Sequence, residues 1–349
     1  MIKENLKELC QLNGLPSTEE HVGEYMFRKF WNVNRNVYKD TLGNVICTLK
    51  SQKAEAPKIM VFAHMDEIGF IVRKIEDNGF LRFERIGGVN TQILPGTKVQ
   101  SVTEKSVKGL IGVQSHHFMA PENKFKVPQI KEMYIDIGAD SKKSVIQKGI
   151  NVGDMFSFDN TWTEMTDNIV SSKAIDDRIG CSILLDLNEK LKGDAQTVDV
   201  YLVACVMEEF NIRGILPVIR RINPDITIGI DITPACDTPD LDYNDISLGK
   251  GPALTYMNFH GRGTLAGVLP NRKLLKTFEN ICINDNIPYQ REVAPGVVTE
   301  NAYILFENDG ISVMSISIPT RYTHTPIESI NIGDAQNAEK LIETFIRHF

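Results

Sequence analysis

A chain of 349 residues is longer than one hydrophobic core usually serves, so two domains are expected. With 42% hydrophobic and 24% charged residues the composition is that of an ordinary globular protein. A formal net charge of -7 and a pI near 5.6 argue against a nucleic-acid surface, which needs a basic patch. No apolar run is long enough to cross a bilayer, and residues 1–6 lead into no apolar core of signal-peptide length. A cytoplasmic protein with no membrane partner is expected. The six cysteines (Cys10, Cys47, Cys181, Cys205, Cys236 and Cys282) are scattered without a C-x-x-C pair, which predicts buried reduced thiols.

Leu6, Leu9 and Cys10 share a helical stripe that Pro16-Ser17 breaks. Ser17-Thr18-Glu19-Glu20 then restarts a helix carrying Val22, Tyr25, Met26 and Phe30. Residues 44–49 read as a strand and 58–63 as a more deeply buried one, the start of an α/β layer. From 71 to 158 the texture changes to short strand-like runs broken by Gly87-Gly88, Pro95-Gly96, Gly109, Gly112, Gly138 and Gly153-Asp154. This predicts a small β-rich domain, 71–158, inserted into an α/β domain made of 1–70 and 159–349. The α/β rhythm returns with an apolar stripe at Ile175, Ile179, Ile183, Leu184, Leu187 and Leu191. Strands follow at 198–207, 226–232 and 311–318, with helices at 274–283 and 335–349. Such alternation implies a mostly parallel sheet covered by helices on both faces.

Each strong strand leads into a potential metal ligand. Residues 59–63 run into His64-Met65-Asp66, 198–207 into Glu208-Glu209, 226–230 into Asp231, and 311–318 through Pro319-Thr320-Arg321-Tyr322-Thr323 to His324. In an open parallel sheet, ligands gather beyond the carboxyl ends of the strands. Alternation puts His64 and Asp66 on one face, so His64 can bind a metal while Asp66 orients its ring. Asp176 and Asp177 open the helix after Lys173-Ala174; either could cap it, and Asp176 can also lean toward the strand ends as a bridge between metals. The set His64, Asp176, Glu209, Asp231 and His324 suits two divalent cations, zinc first, with cobalt or manganese as alternatives. Between two such ions a water becomes acidic, and Glu208 is placed to take its proton and return it to a leaving amine. His21 and His348 read as solvated, His116-His117 as a polar turn, and His260 as lying in a loop, Phe259-His260-Gly261-Arg262-Gly263, without an evident partner.

These residues, in this order, resemble the M42 family of metallo-aminopeptidases. The resemblance runs nearly end to end, through His64-Met65-Asp66-Glu67-Ile68-Gly69, Arg85-Ile86-Gly87-Gly88, Leu94-Pro95-Gly96 and Tyr134-Ile135-Asp136-Ile137-Gly138. It continues through Lys173-Ala174-Ile175-Asp176-Asp177-Arg178, Glu208-Glu209, Asp231-Ile232-Thr233 and Thr320-Arg321-Tyr322-Thr323-His324-Thr325-Pro326-Ile327-Glu328. It implies a phosphorylase/hydrolase-like α/β domain with a barrel-like β insert that mediates dimer contacts. It also implies assembly of dimers into a tetrahedral dodecamer and removal of N-terminal residues from short peptides. By the same resemblance His64, Asp176 and Asp231 hold one metal, and Asp176, Glu209 and His324 the other. Asp66 matches the carboxylate behind the ligands and Glu208 the general base.

This chain departs from the family pattern at three places. Asn211 stands where a Gly follows the catalytic glutamates, and Asn tolerates the left-handed region. Val298-Thr299-Glu300-Asn301-Ala302 replaces Gly-Thr-Asp-Ala near the substrate pocket, which changes its charge. Asn258 stands where Asp is common. Alternative readings are a two-metal N-acyl amino acid deacylase and a non-catalytic scaffold; an intact Glu208 speaks against the second.

Overall fold

The computed structural model describes residues 1–193, 197–260 and 266–349. Its centre is a 12-stranded mixed sheet. Asp199–Cys205, Lys58–His64, Ile226–Pro234 and Ser312–Arg321 lie side by side in that order, all parallel. Almost every residue of the four is buried, which is why they read as unbroken apolar runs and not as alternating ones. Val45–Leu49 flanks them antiparallel on one side, and Glu328–Asn331 and Ile169–Ser172 extend the sheet on the other. Cys205 pairs with His64 and Asp231 with Ser317, so the carboxyl ends of the four strands arrive at one edge.

Helices cover both faces, as the alternation predicts. Ile2–Gln11, Glu20–Val33, Ile175–Lys190, Arg272–Asn284 and Ile332–His348 share one core, while Ile215–Ile222 and Asn301–Ile304 close a second core on the opposite face. The Ile175–Lys190 helix carries more than a stripe: 14 of its 16 residues are buried. It lies between the sheet and three other helices, so its polar residues must find partners inside. Ser182 Oγ donates to the Ile2 carbonyl at 2.6 Å, and Asn188 donates to the Phe30 carbonyl at 3.4 Å.

The inserted segment forms a closed antiparallel barrel of six strands, from Gly69–Ile75 through to Met155–Phe158, which pairs back on the first. Phe70 fills its centre, edge-on to Phe83 at 5.1 Å and to Phe158 at 5.3 Å. Where the barrel joins the α/β layer, a buried ion pair ties the two ends of the insert to the helical layer. Lys173 Nζ donates to both oxygens of Glu67 (2.8 and 2.7 Å) and to Ser157 Oγ at 3.2 Å, while the Gly14 amide donates to Glu67 at 3.1 Å.

Five cysteines are buried, as composition predicts, but Cys236 is half-buried because it sits in the loop beyond the Ile226–Pro234 strand; none is in a disulfide. Among the described residues no helix is long and apolar enough to cross a membrane.

Candidate metal centre

At the shared strand edge, two histidines converge on one carboxylate. His64 Nε2 lies 3.1 Å from Asp176 Oδ1, and His324 Nε2 lies 3.3 Å from Asp176 Oδ2. The opposite nitrogen of each ring meets a backbone carbonyl, His64 Nδ1 that of Asp66 and His324 Nδ1 that of Gly88, both at 3.1 Å. A carbonyl can only accept, so each Nδ1 carries a proton and each Nε2 is left facing a carboxylate oxygen. Each such gap must hold a proton on Nε2, as in the metal-free protein, or a metal cation in its place.

The remaining carboxylates deepen the deficit of positive charge. Ligand atoms of His64, Asp176 and Asp231 all lie within 4.8 Å of one another, and so do those of Asp176, Glu209 and His324. A third such group joins Glu208, Asp231 and Glu300. The four residues singled out as ligands beyond the strand ends and Asp176 from the helix start are therefore brought together, with Asp176 common to two groups. Burial, reinforced by neighbouring carboxylates and only partly offset by His64, pushes the carboxyls of Glu208 and Asp231 well above the usual range. Glu209 is pushed up to about 7 by burial, with Asp176 adding to the effect and His324 opposing it. Burial works against charge on His64 and His324, but hydrogen bonds and attraction from Asp176, Asp66 and Glu209 outweigh it and hold both rings protonated well above their usual range. Mixed nitrogen and oxygen donors, crowded and short of cations, fit divalent metal ions.

Local structure explains why the groups converge. Asp66 does more than its position two residues after His64 suggests. Its carboxylate lies 3.5 Å from His64 Nδ1, while its two oxygens accept the backbone N–H groups of Glu208 (3.0 Å) and Glu209 (2.9 Å). Its own carbonyl is the group that holds the His64 ring. Gly87 and Gly88 leave room for the opposite wall. A Cβ on Gly87 would come 2.9 Å from Glu209 Oε2, and one on Gly88 would come 2.5 Å from His324 Nδ1. Asp177 serves the local fold: its carboxylate accepts from the amides of Gly180 (3.0 Å) and His64 (3.3 Å).

A cavity of about 550 Å³ opens onto the cluster, with Ile232, Pro234, Val298 and Tyr303 in its wall. His260 also lines it, which the loop reading did not anticipate; the rest of that loop, residues 261–263, lies outside the described residues. His21, His116, His117 and His348 are exposed and away from the cluster. Asn211 adopts φ 65°, the left-handed conformation expected of a Gly substitute, and Ile212 beside it has φ 53°. Within Val298-Thr299-Glu300-Asn301-Ala302, Asn301 turns into the sheet, bonding Thr227 Oγ1, Ser315 Oγ and the Met314 carbonyl. Glu300 supplies the carboxylate at the site, accepting from Cys205 Sγ at 3.1 Å. Asn258 is buried, and its Oδ1 has no hydrogen-bond partner among the described residues.

Residues 43–341 match the family described as M42 glutamyl aminopeptidase. The chain belongs to that family. It is thus a peptidase, a hydrolase acting on peptide bonds. This M42 chain is 45% identical over 98% of its length, and 92% of the relative's, to SgcX of Escherichia coli (strain K12), whose own aminopeptidase assignment is provisional. It shares 35% identity and a TM-score of 0.92 with the aminopeptidase APDkam598 of the archaeon Desulfurococcus kamchatkensis, covering 99% of this chain and 94% of that one. It shares 27% identity and a TM-score of 0.87 with the Pyrococcus horikoshii TET1 peptidase, which assembles into a tetrahedron or a large octahedral shell, covering 100% of both chains.

Proposed function

We propose that this M42 chain is a two-metal aminopeptidase that removes the first residue from short peptides. In this reading His64, Asp176 and Asp231 hold one divalent ion, zinc, cobalt or manganese, and Asp176, Glu209 and His324 hold a second. Bound there, the ions supply Lewis-acid polarisation of the scissile carbonyl and a more acidic water. The observation that carries the reading is the convergence of two histidine Nε2 atoms on the two oxygens of Asp176.

The chain's own groups do the rest. Glu208 lines the cavity beside the ligands without belonging to either histidine group, so its carboxylate is free to act as general base. It takes a proton from the attacking water and hands it to the nitrogen of the departing peptide. Asp66 fixes the base by accepting its backbone N–H, and the same carboxylate fixes Glu209. The apolar wall at Ile232, Pro234 and Val298 receives the first side chain and keeps bulk water from the reacting bond.

Assembly follows the TET1 likeness: dimers through the barrel, then a tetrahedral dodecamer whose interior admits peptides and excludes folded proteins. Six cysteines without a disulfide suit a cytoplasmic location. The test is digestion of a panel of unblocked peptides by protein loaded with zinc, cobalt or manganese. Release of free N-terminal residues is expected. Faster hydrolysis of N-acyl amino acids than of any free-amine peptide would move the assignment to a deacylase.

A further inference from the structure

Glu328 opens the strand Glu328–Asn331, is 2% exposed, and is no part of the cavity wall. Its Oε1 accepts the backbone N–H of His324 at 2.8 Å and its Oε2 accepts that of Asp176 at 3.0 Å. Those two residues come from distant parts of the chain, one at the start of the Ile175–Lys190 helix and one beyond the Ser312–Arg321 strand. His324 has φ 59°, a left-handed conformation that a non-glycine residue holds only when its surroundings enforce it. One carboxylate therefore sets both the backbone position of His324 and its spacing from Asp176.

We propose that Glu328 is a positioning residue for the ion held by Asp176, Glu209 and His324, and that it sets the affinity of that position for a divalent cation. This rests on the two-metal reading above. A carboxylate is required because both groups it meets are donors. Glutamine has the same shape but can accept only one of the two N–H groups with its oxygen; its NH2 then faces the other donor. Aspartate falls short by one methylene, about 1.5 Å. Glu328 reaches the other ion only through the shared Asp176, with no hydrogen bond to His64 or Asp231, whereas it holds both Asp176 and His324 at this one, so the other ion feels the change less.

The experiment compares wild type, Glu328→Gln and Glu328→Asp as full-length chains stripped of metal and titrated with zinc alone by calorimetry. Thermal melts of the metal-free proteins run in parallel. Wild type is expected to take up two ions. In Glu328→Gln one ion binds nearly as before and the other about 10- to 100-fold more weakly, the range found for partners that orient metal ligands. Glu328→Asp shows the same selective loss and carries the test if the glutamine variant does not fold. Unchanged affinity for both ions, even with a lowered melting temperature, would show a purely structural role and overturn the proposal. Equal weakening of both ions overturns it too. If wild type binds fewer than two ions, the two-metal reading itself fails; two ions on wild type with an unaffected glutamine variant sinks only this inference.

Discussion

Replacing Gly88 by alanine tests the wall of the site with a single methyl group. The new Cβ would lie 2.5 Å from Nδ1 and 2.8 Å from Cε1 of His324. An ordinary contact is about 3.5 Å, so the ring must retreat by about 1 Å. That movement stretches the hydrogen bond from Nδ1 to the Gly88 carbonyl and draws Nε2 away from Asp176 and Glu209. A displacement of this size at reacting groups costs about 100-fold in rate. A disturbed ligand costs about 10-fold or more in metal affinity. The assay is steady-state hydrolysis of an unblocked dipeptide, with kcat and KM determined separately, alongside a zinc titration of the stripped protein. A fall in kcat with weakened binding of one ion is expected. Wild-type kcat and wild-type affinity for both ions would refute the placement of His324 against Gly88.

Lys173→Met leaves the buried Glu67 carboxylate with Arg178 at 3.7 Å as its nearest cation, and should destabilise the chain by about 3–5 kcal/mol. An unchanged denaturant midpoint would contradict the role given to that pair. Gly23→Ala has the opposite sign: it lies within the Glu20–Val33 helix and its new Cβ would meet nothing nearer than 3.8 Å. It should stabilise by about 0.5–1 kcal/mol, read as a higher melting temperature; a lower one would show a tighter packing there. Metal-free protein should lose stability as pH rises from about 5 to 8, by about 1.4 kcal/mol per pH unit for each extra proton the folded state holds. The raised carboxyls of Glu208, Glu209 and Asp231 stabilise most below their unfolded values near 4, and the raised histidines below about 6.5. Both contributions fade with rising pH. Asp176, held below its usual range by hydrogen bonds from both histidines that outweigh burial, has the reverse sign, its contribution being lost as pH falls and not as it rises. Bound metal displaces those protons, so melts with and without zinc should diverge toward alkaline pH; parallel curves would count against this.

The sheet and the convergence of polar residues at its edge were legible because each central strand is a buried apolar run that ends abruptly in a polar residue, and parallel pairing brings those ends together. The barrel was legible as a change of texture, since Gly and Pro punctuate short strands. The strands Ala253–Phe259 and Gln290–Pro295 were missed. Both carry polar and exposed residues beside the sheet's main path, and their pairing is long-range. The eight-residue helix Ile215–Ile222 is too short for periodicity to single it out. Glu300 and Glu328 lie off the strand ends, and only the fold shows that one reaches Asp231 and the other the amides of Asp176 and His324. Asp66 was recognised for a hydrogen bond to a ring, whereas its carboxylate chiefly holds two amides 142 and 143 residues away.

The central claim, a proton-transferring Glu208 beside two metal ions, is tested most directly by Glu208→Gln assayed for metal content and peptide hydrolysis in one preparation. Two ions per chain should remain, while kcat falls about 100- to 10,000-fold, the range for loss of a general base. A variant that holds both ions and cleaves peptides at the wild-type rate would contradict the account.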